Sequence, residues 1–268
     1  MNLALSDGRV NASVTGTGRT LVLFHSLLAD GASFDRIVPK LATRFRVLVP
    51  ELPGFGGSAA VGGGLPAVAD RMADALRDLD DPDGPIVLGN GYGGFVALQM
   101  AVRHPRLASR LILAGCGARF SEPGREAFRA MARAAAANGL SAIVDVAMRR
   151  LFAPEFQAAN PGLMAERRAA FLRTDPQVFQ DACQALAALD LTAELALLET
   201  PTLALVGEHD EATPPPMSVE LAGILPNVRL RVLPNCAHVP QLQSPDLFLD
   251  AMSDFLADAA PALAGQRA

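Results

Sequence analysis

No run of about 18 uncharged apolar residues, the length a membrane-spanning helix needs, occurs in this sequence, so no transmembrane segment is predicted. No basic stripe is present either. The 268 residues carry 23 Lys and Arg against 28 Asp and Glu, a formal net charge of −5, which argues against a nucleic-acid partner. Among the basic residues only Lys40 is a lysine. Cysteine is scarce: Cys116, Cys183 and Cys236 are odd in number, widely spaced and without a C-x-x-C pair, so neither a disulfide framework nor a zinc site is indicated. His25, His104 and His209 show no metal-ligand spacing, and no metal is expected. The opening Met1-Asn2-Leu3-Ala4 has neither a basic region nor a long apolar one. That pattern predicts no signal peptide and a reducing, cytoplasmic setting. What the chain has in quantity is apolar surface, at 50% hydrophobic residues. That is too much for a disordered chain and enough to build one large α/β domain, with or without an insertion.

Hydrophobic patterning orders the elements. Two short strands are predicted around turns at Asp7-Gly8 and Gly16-Thr17-Gly18, then a buried strand at Thr20–Phe24 and a helix over Phe34–Thr43. Strands follow at Arg46–Pro50, Pro85–Leu88 and Arg110–Ala114. Between them, Val68, Met72, Ala75, Leu76 and Leu79 recur at helical spacing, and a helix is predicted from Phe95 to His104. Such alternation indicates a mostly parallel sheet covered on both faces. It stops from about Ser121 to Glu199, where only helical patterns occur, broken at Pro154, Asn160-Pro161 and Asp175-Pro176. Strands return at Thr202–Val206 and Val228–Leu233, with a helix between them, another from Pro245 to about Leu256, and a frayed tail expected from Asp258. The expected division is a core of residues 1–117 and 200–268 and an inserted helical cap of residues 118–199. The cap should lie over the carboxyl ends of the strands, where ligands of α/β proteins bind.

Three loops at those strand ends carry chemistry: Gly89-Asn90-Gly91-Tyr92-Gly93-Gly94, Gly207-Glu208-His209-Asp210 and Cys236-Ala237-His238. With them the chain resembles the α/β-hydrolase family along nearly its whole length. Gly89–Gly94 looks like that family's nucleophile elbow G-x-S-x-G-G, and His25-Ser26-Leu27 sits where the family has its oxyanion loop. Asp210, in Gly-x-x-Asp-x-x-Thr-Pro, matches the acid, and His238 the base. Around Phe152–Phe156, Asn160-Pro161 and Asp190-Leu191-Thr192 the insertion is similar to the cap of 3-oxoadipate enol-lactonases. The resemblance implies an acid/base dyad, Asp210 orienting His238, beside an oxyanion hole formed by the N–H groups of Tyr92 and Leu27. It implies no cofactor, and a small ester, lactone or activated carbonyl compound as substrate. The departure is position 91, where the family carries its nucleophilic serine and this chain has glycine, which cannot form an acyl-enzyme.

Several readings of Gly91 stand side by side. In a natural enzyme without a serine at the elbow, His238 would activate a water or move a proton on the substrate, giving hydrolysis, C–C cleavage, elimination or isomerisation. In a serine hydrolase inactivated by a Ser-to-Gly change, the remaining machinery would be assembled for acyl transfer. In a non-catalytic protein the capped pocket would hold a small ligand. All three accommodate the glycine, which reaches positive φ without a Cβ penalty. Gly89-x-Gly91-x-x-Gly94 also spells a dinucleotide fingerprint, but the next strand ends in Ala114-Gly115-Cys116-Gly117 without the acidic residue a ribose requires.

Further substrate-contact candidates are Ser26, Cys116 and Arg119, each with a plainer alternative. Ser26 can make a local turn bond, Cys116 can pack as a small buried residue, and Arg119 can lie in solvent at the cap's entrance. The pairs Arg149-Arg150 and Arg167-Arg168 read first as solvated helix faces, with a clamp for a substrate carboxylate as the functional alternative.

Overall fold

The protein is described by a computed structural model for residues 1–257, so the tail expected to fray from Asp258 lies outside the described residues. Eight strands form one sheet: β1 (Asn2–Leu5), β2 (Val10–Thr15), β3 (Arg19–Phe24), β4 (Phe45–Pro50), β5 (Ile86–Asn90), β6 (Arg110–Ala114), β7 (Thr202–Gly207) and β8 (Val228–Leu233). They lie in the order β1-β2-β4-β3-β5-β6-β7-β8. β2 runs antiparallel to both β1 and β4, and every pairing from β4 to β8 is parallel. This is the expected α/β architecture, a mostly parallel sheet flanked by helices.

The buried strands feed two cores because successive side chains leave a strand on opposite faces. On β3, Leu21 and Leu23 join Phe34, Ile37, Phe248 and Met252 on one face, while Val22 and Phe24 join Met72, Leu76, Phe95 and Leu98 on the other. Each such side chain removed from water contributes about 1.5–3 kcal/mol. The second face is covered by α2 (Gly64–Arg77) and α3 (Tyr92–Arg103). Close seating of α3 needs a glycine at position 93, where a Cβ would lie 2.2 Å from the Phe24 carbonyl oxygen.

One expected element is smaller than its pattern suggested. Instead of a helix over 34–43 there is a 3₁₀ turn at Gly31–Phe34 and a single helical turn, α1 (Val38–Leu41). Pro39 has no N–H to continue a helix from the preceding turn, and its fixed φ starts a new one instead. Conversely, α3 begins at Tyr92, three residues before the predicted start, directly on the β5 turn.

Between β6 and β7 the chain is helical: α4 (Glu122–Asn138), α5 (Val144–Leu151), α6 (Pro154–Ala159), α7 (Pro161–Leu172), α8 (Pro176–Ala188) and α9 (Thr192–Leu195). The proline-marked breaks are starts, since Pro154, Pro161 and Pro176 each open a helix. Asp175 caps α8 by accepting the N–H groups of Gln177 (2.7 Å) and Val178 (3.2 Å). The segment is clipped at its base, where Arg119 bridges Asp190 and the Leu191 N–H donates to the Ala118 carbonyl at 3.0 Å. Its buried Phe128, Met131, Phe152, Phe171 and Phe179 belong to the same apolar cluster as the α2/α3 face, so these helices rest on the sheet's core and have no separate one. A polar tie adds to this. Arg167 on α7, 2% exposed, donates to Asp30 in the loop after β3 at 2.8 Å. Burial of Arg167 departs from the solvated face expected of it, and the cause is this pairing across the junction. Among the described residues three helices follow β7: α10 (Pro215–Ile224), α11 (Pro240–Gln243) and α12 (Pro245–Ala257).

Candidate active site

The turn from β5 into α3 holds Gly91 at φ +53° and ψ −118°, a conformation that strains any residue with a Cβ. The strain is held by the sheet, because the Gly91 N–H donates to the Ala114 carbonyl at 2.8 Å and the Gly91 carbonyl accepts from Gly94 N–H at 2.9 Å. Tyr92 is the first residue of α3, so its N–H has no intrahelical partner. Gly91, Tyr92, Ser26, Leu27, Thr213 and His238 all line one cavity of about 30 Å³. Phe120, Phe128, Met131, Arg150 and Leu186, from the helical segment between β6 and β7, close it from above.

His238 stands at the centre. Its Nδ1 lies 2.9 Å from Asp210 Oδ2, and both side chains are buried. Asp210 is held from every side. Oδ1 accepts the N–H groups of Ala212 and Thr213, both at 2.9 Å, and Oδ2 accepts the Thr213 hydroxyl at 2.8 Å. A carboxylate so restrained takes the Nδ1 proton of histidine as its fourth donor and leaves the Nε2 lone pair toward the cavity. Sequence and structure therefore agree that Asp210 and His238 meet, with Gly91, Tyr92 and Leu27 around them.

The loop after β3, expected from the sequence to carry an oxyanion donor, is locked by His25. Its Nδ1–H donates to the Ser26 carbonyl at 3.0 Å, and its Nε2 accepts the Leu52 N–H at 3.1 Å. Only the neutral ring can do both. Burial pulls the His25 pKa below its ordinary value. The folded protein therefore binds this proton less readily than the unfolded chain does, and stability falls as pH drops below about 6.5. Urea unfolding between pH 8 and pH 5 should show this loss, and His25→Gln, which titrates nowhere in that window, should flatten it.

Other residues fall elsewhere than expected. Ser26 makes no turn bond through its side chain. Its hydroxyl faces His238, Oγ lying 3.5 Å from Nε2. Cys116 is fully buried against Gly94 and is not among the residues lining the cavity, and burial, with the Asp210 charge nearby, pushes its thiol well above the ordinary value. Arg119 does not enter the cavity either and pairs with Glu220 at 2.8 Å. Arg150, in contrast, is half-buried. It reaches into the cavity wall beside the Phe128 ring, and among the described residues no carboxylate forms an ion pair with it.

Two residues position the dyad, and only one of them was visible to motif reading. Buried Asn90 donates to the Ala114 carbonyl at 3.0 Å and to the His238 carbonyl at 2.8 Å, and accepts from Gln241 at 2.9 Å, tying the His238 loop to the elbow. Thr213 secures Asp210 as above. Asn90 occupies an unrestricted position of the elbow pattern, and only the Thr of the Asp210 loop carried any sequence signal. Among the described residues no cluster of three or more His, Cys, Asp or Glu is arranged to hold a metal ion.

The pattern of elbow, acid and histidine on this sheet has close parallels. The family model described as "Alpha/beta hydrolase family" matches residues 21–251. A pimeloyl-[acyl-carrier protein] methyl ester esterase of Chromobacterium violaceum is 30% identical over 249 residues, covering 90% of this chain and 95% of its own. A thermophilic esterase from Thermogutta terrifontis, solved with malate bound, superposes with a TM-score of 0.86 at 27% identity, covering 97% of this chain and 99% of that one. The enol-lactonase from Burkholderia xenovorans LB400 does so with a TM-score of 0.85 at 26% identity, covering 96% and 100%. With the family's model spanning most of its length, the chain belongs to the alpha/beta hydrolase family.

Proposed function

We propose that this protein is an esterase-type hydrolase of a small ester or lactone, working through His238 as general base and acid, with Asp210 holding its tautomer. The single observation that carries the reading is the buried Asp210–His238 contact of 2.9 Å, with Nε2 facing a cavity bordered by the residues after both turns. The N–H groups of Leu27 and Tyr92 would hold the oxyanion as a tetrahedral intermediate forms, a contribution of about 2.7–4 kcal/mol per donor in sites of this kind. Residues 118–199 act as its cap, excluding bulk water above the dyad. The chemistry so described calls on no cofactor.

Arg150 narrows the substrate. A cation on a mostly apolar cavity wall, in no ion pair among the described residues, favours an acyl chain that ends in a carboxylate. The esterase parallel solved with malate bound is in keeping with an anionic ligand.

The reading is tested with a panel of short aryl esters and enol lactones, half bearing a terminal carboxylate. Turnover is expected, with the carboxylated members preferred. Arg150→Met should lower their kcat/KM by roughly 10- to 100-fold, the worth of about 1.5–3 kcal/mol for a charged hydrogen bond, and leave neutral esters within a few-fold. Capture of panel members without turnover would overturn this in favour of a ligand-binding protein. An inactivated serine hydrolase would instead regain activity by orders of magnitude in Gly91→Ser. The space speaks against that gain, because a Cβ on Gly91 would sit 2.6 Å from both His238 Nε2 and Ser26 Oγ.

A further inference from the structure

The elbow lacks a hydroxyl, yet the space before Nε2 is not without one. Ser26, 1% exposed, lines the dyad's cavity, and among the described residues its hydroxyl lies within hydrogen-bond distance of His238 Nε2, at 3.5 Å. The Cβ built on Gly91 would fall 2.6 Å from Ser26 Oγ and equally 2.6 Å from His238 Nε2. The Ser26 hydroxyl thus reaches, from the opposite wall, the point that a side chain at position 91 would occupy.

Other nucleophilic groups are excluded one by one. Thr213 Oγ1 spends its proton on Asp210. The Cys116 thiol is packed outside the cavity lining. The Tyr92 phenol is held in its protonated form by burial.

Chain geometry favours Ser26 in a second way. At an ordinary elbow, the residue after the nucleophile supplies an oxyanion donor from its own N–H. Ser26 stands in that same relation to Leu27, which lines the cavity, so an acyl carbon bonded to Ser26 Oγ would have a backbone donor one residue on. The His25 lock bears on this too. With the Ser26 carbonyl accepting from His25 Nδ1–H at 3.0 Å and from Ala29 N–H at 3.2 Å, the backbone beneath the hydroxyl is fixed. A separation of 3.5 Å is long for a working hydrogen bond, but catalytic bonds commonly tighten only when substrate is present.

We propose that Ser26 is the catalytic nucleophile, a serine carried on the oxyanion loop in place of one at the elbow. The proposal rests on the esterase-type reading. His238 Nε2 takes the Ser26 hydroxyl proton as Oγ bonds to the ester carbonyl carbon and the carbonyl π pair moves onto oxygen. Collapse of the intermediate breaks the bond to the leaving alkoxide, which receives that proton from Nε2. Water then attacks the Ser26 ester, giving its proton to Nε2. The Ser26–acyl bond breaks, Oγ takes the proton back, and the carboxylic acid is released.

The test treats the whole protein with diisopropyl fluorophosphate and locates the adduct by peptide mass spectrometry, alongside ester hydrolysis by the wild type, Ser26→Ala and Ser26→Cys. One phosphoryl adduct is expected on the wild-type peptide containing Ser26 and none in Ser26→Ala, with hydrolysis in that variant down by about 10³-fold or more. Ser26→Cys should regain part of the rate and become sensitive to iodoacetamide. Hydrolysis by Ser26→Ala within tenfold of the wild type, with no adduct at Ser26, would overturn the proposal while leaving the hydrolase reading intact, since His238 would then be activating water directly. A wild type that neither hydrolyses esters nor takes the label would overturn both.

Discussion

His238→Ala should abolish ester turnover, lowering kcat by about 10⁴- to 10⁶-fold, the range seen when the histidine of a nucleophile–histidine–acid unit is removed. The substitution removes the lone pair at Nε2 proposed to accept the attacking proton and the acid proposed to return it to the leaving group, and the other titratable side chains lining the cavity, Tyr92 and Arg150, are a phenol and a guanidinium rather than bases of that kind. What remains is oxyanion stabilisation by backbone N–H groups, which alone leaves a modest rate above water. Alanine also strips Asp210 of one of its four donors in a buried setting, at a cost to stability of about 1–3 kcal/mol. His238→Gln separates the two effects. Its amide N–H can still donate to Asp210, so it should fold more stably than His238→Ala and be as inactive. Turnover of the true substrate within tenfold of the wild type in either variant would remove His238 from the mechanism.

Asp210→Asn should cost about 10⁴-fold in kcat with little change in substrate affinity, and the reason is the direction of one proton. Three donors within the chain fix the carboxylate: Ala212 N–H and Thr213 N–H on Oδ1, and the Thr213 hydroxyl on Oδ2. An asparagine keeps its carbonyl oxygen toward the two backbone donors, since turning round would set its NH₂ against them. The amide NH₂ then faces His238 Nδ1 and donates to it. The ring is driven into the tautomer protonated at Nε2, which cannot act as a base. Steady-state kinetics on the preferred ester measures the loss. A variant with kcat within tenfold of the wild type would show that Asp210 does not set the ring's tautomer. Asp210→Glu should be less severe in charge but still damaging, since the longer side chain displaces all three restraining bonds.

Legibility followed the nature of each signal. The strands were readable because Leu21–Phe24, Val47–Val49 and Leu203–Val206 are continuous apolar runs, and a buried parallel strand needs little more. Asp210 and His238 were readable because their loops sit at strand ends that topology brings to one edge. The single-turn α1 was overestimated because apolar spacing at Phe34, Ile37 and Leu41 outweighed the stop at Pro39. Arg150 and Arg167 were read as solvated because charge on a helix usually is. Their burial comes from what the helices lean against, the cavity in one case and Asp30 in the other, and no local pattern encodes a neighbour far away in the chain. Asn90 and the Ser26–His238 contact belong to the same class. The first spans 148 positions and the second 212, so both exist only once the sheet has closed.

The tie between Arg167 and Asp30 links two events that are separate in a simple lidded vessel. The cavity above His238, at about 30 Å³, is no larger than a water or two, so under the proposed esterase reading an ester would need the helices above it to move aside. Asp30 lies on the same loop as Ser26 and Leu27, four residues past Ser26. Swinging α7 outward pulls on that loop or parts the ion pair, and seating it again resets both. If residues 118–199 serve as the proposed cap, the arrangement would be an interlock: the loop proposed to carry an oxyanion donor is braced by the same helix that would move to admit the molecule, and would be set only with that helix seated.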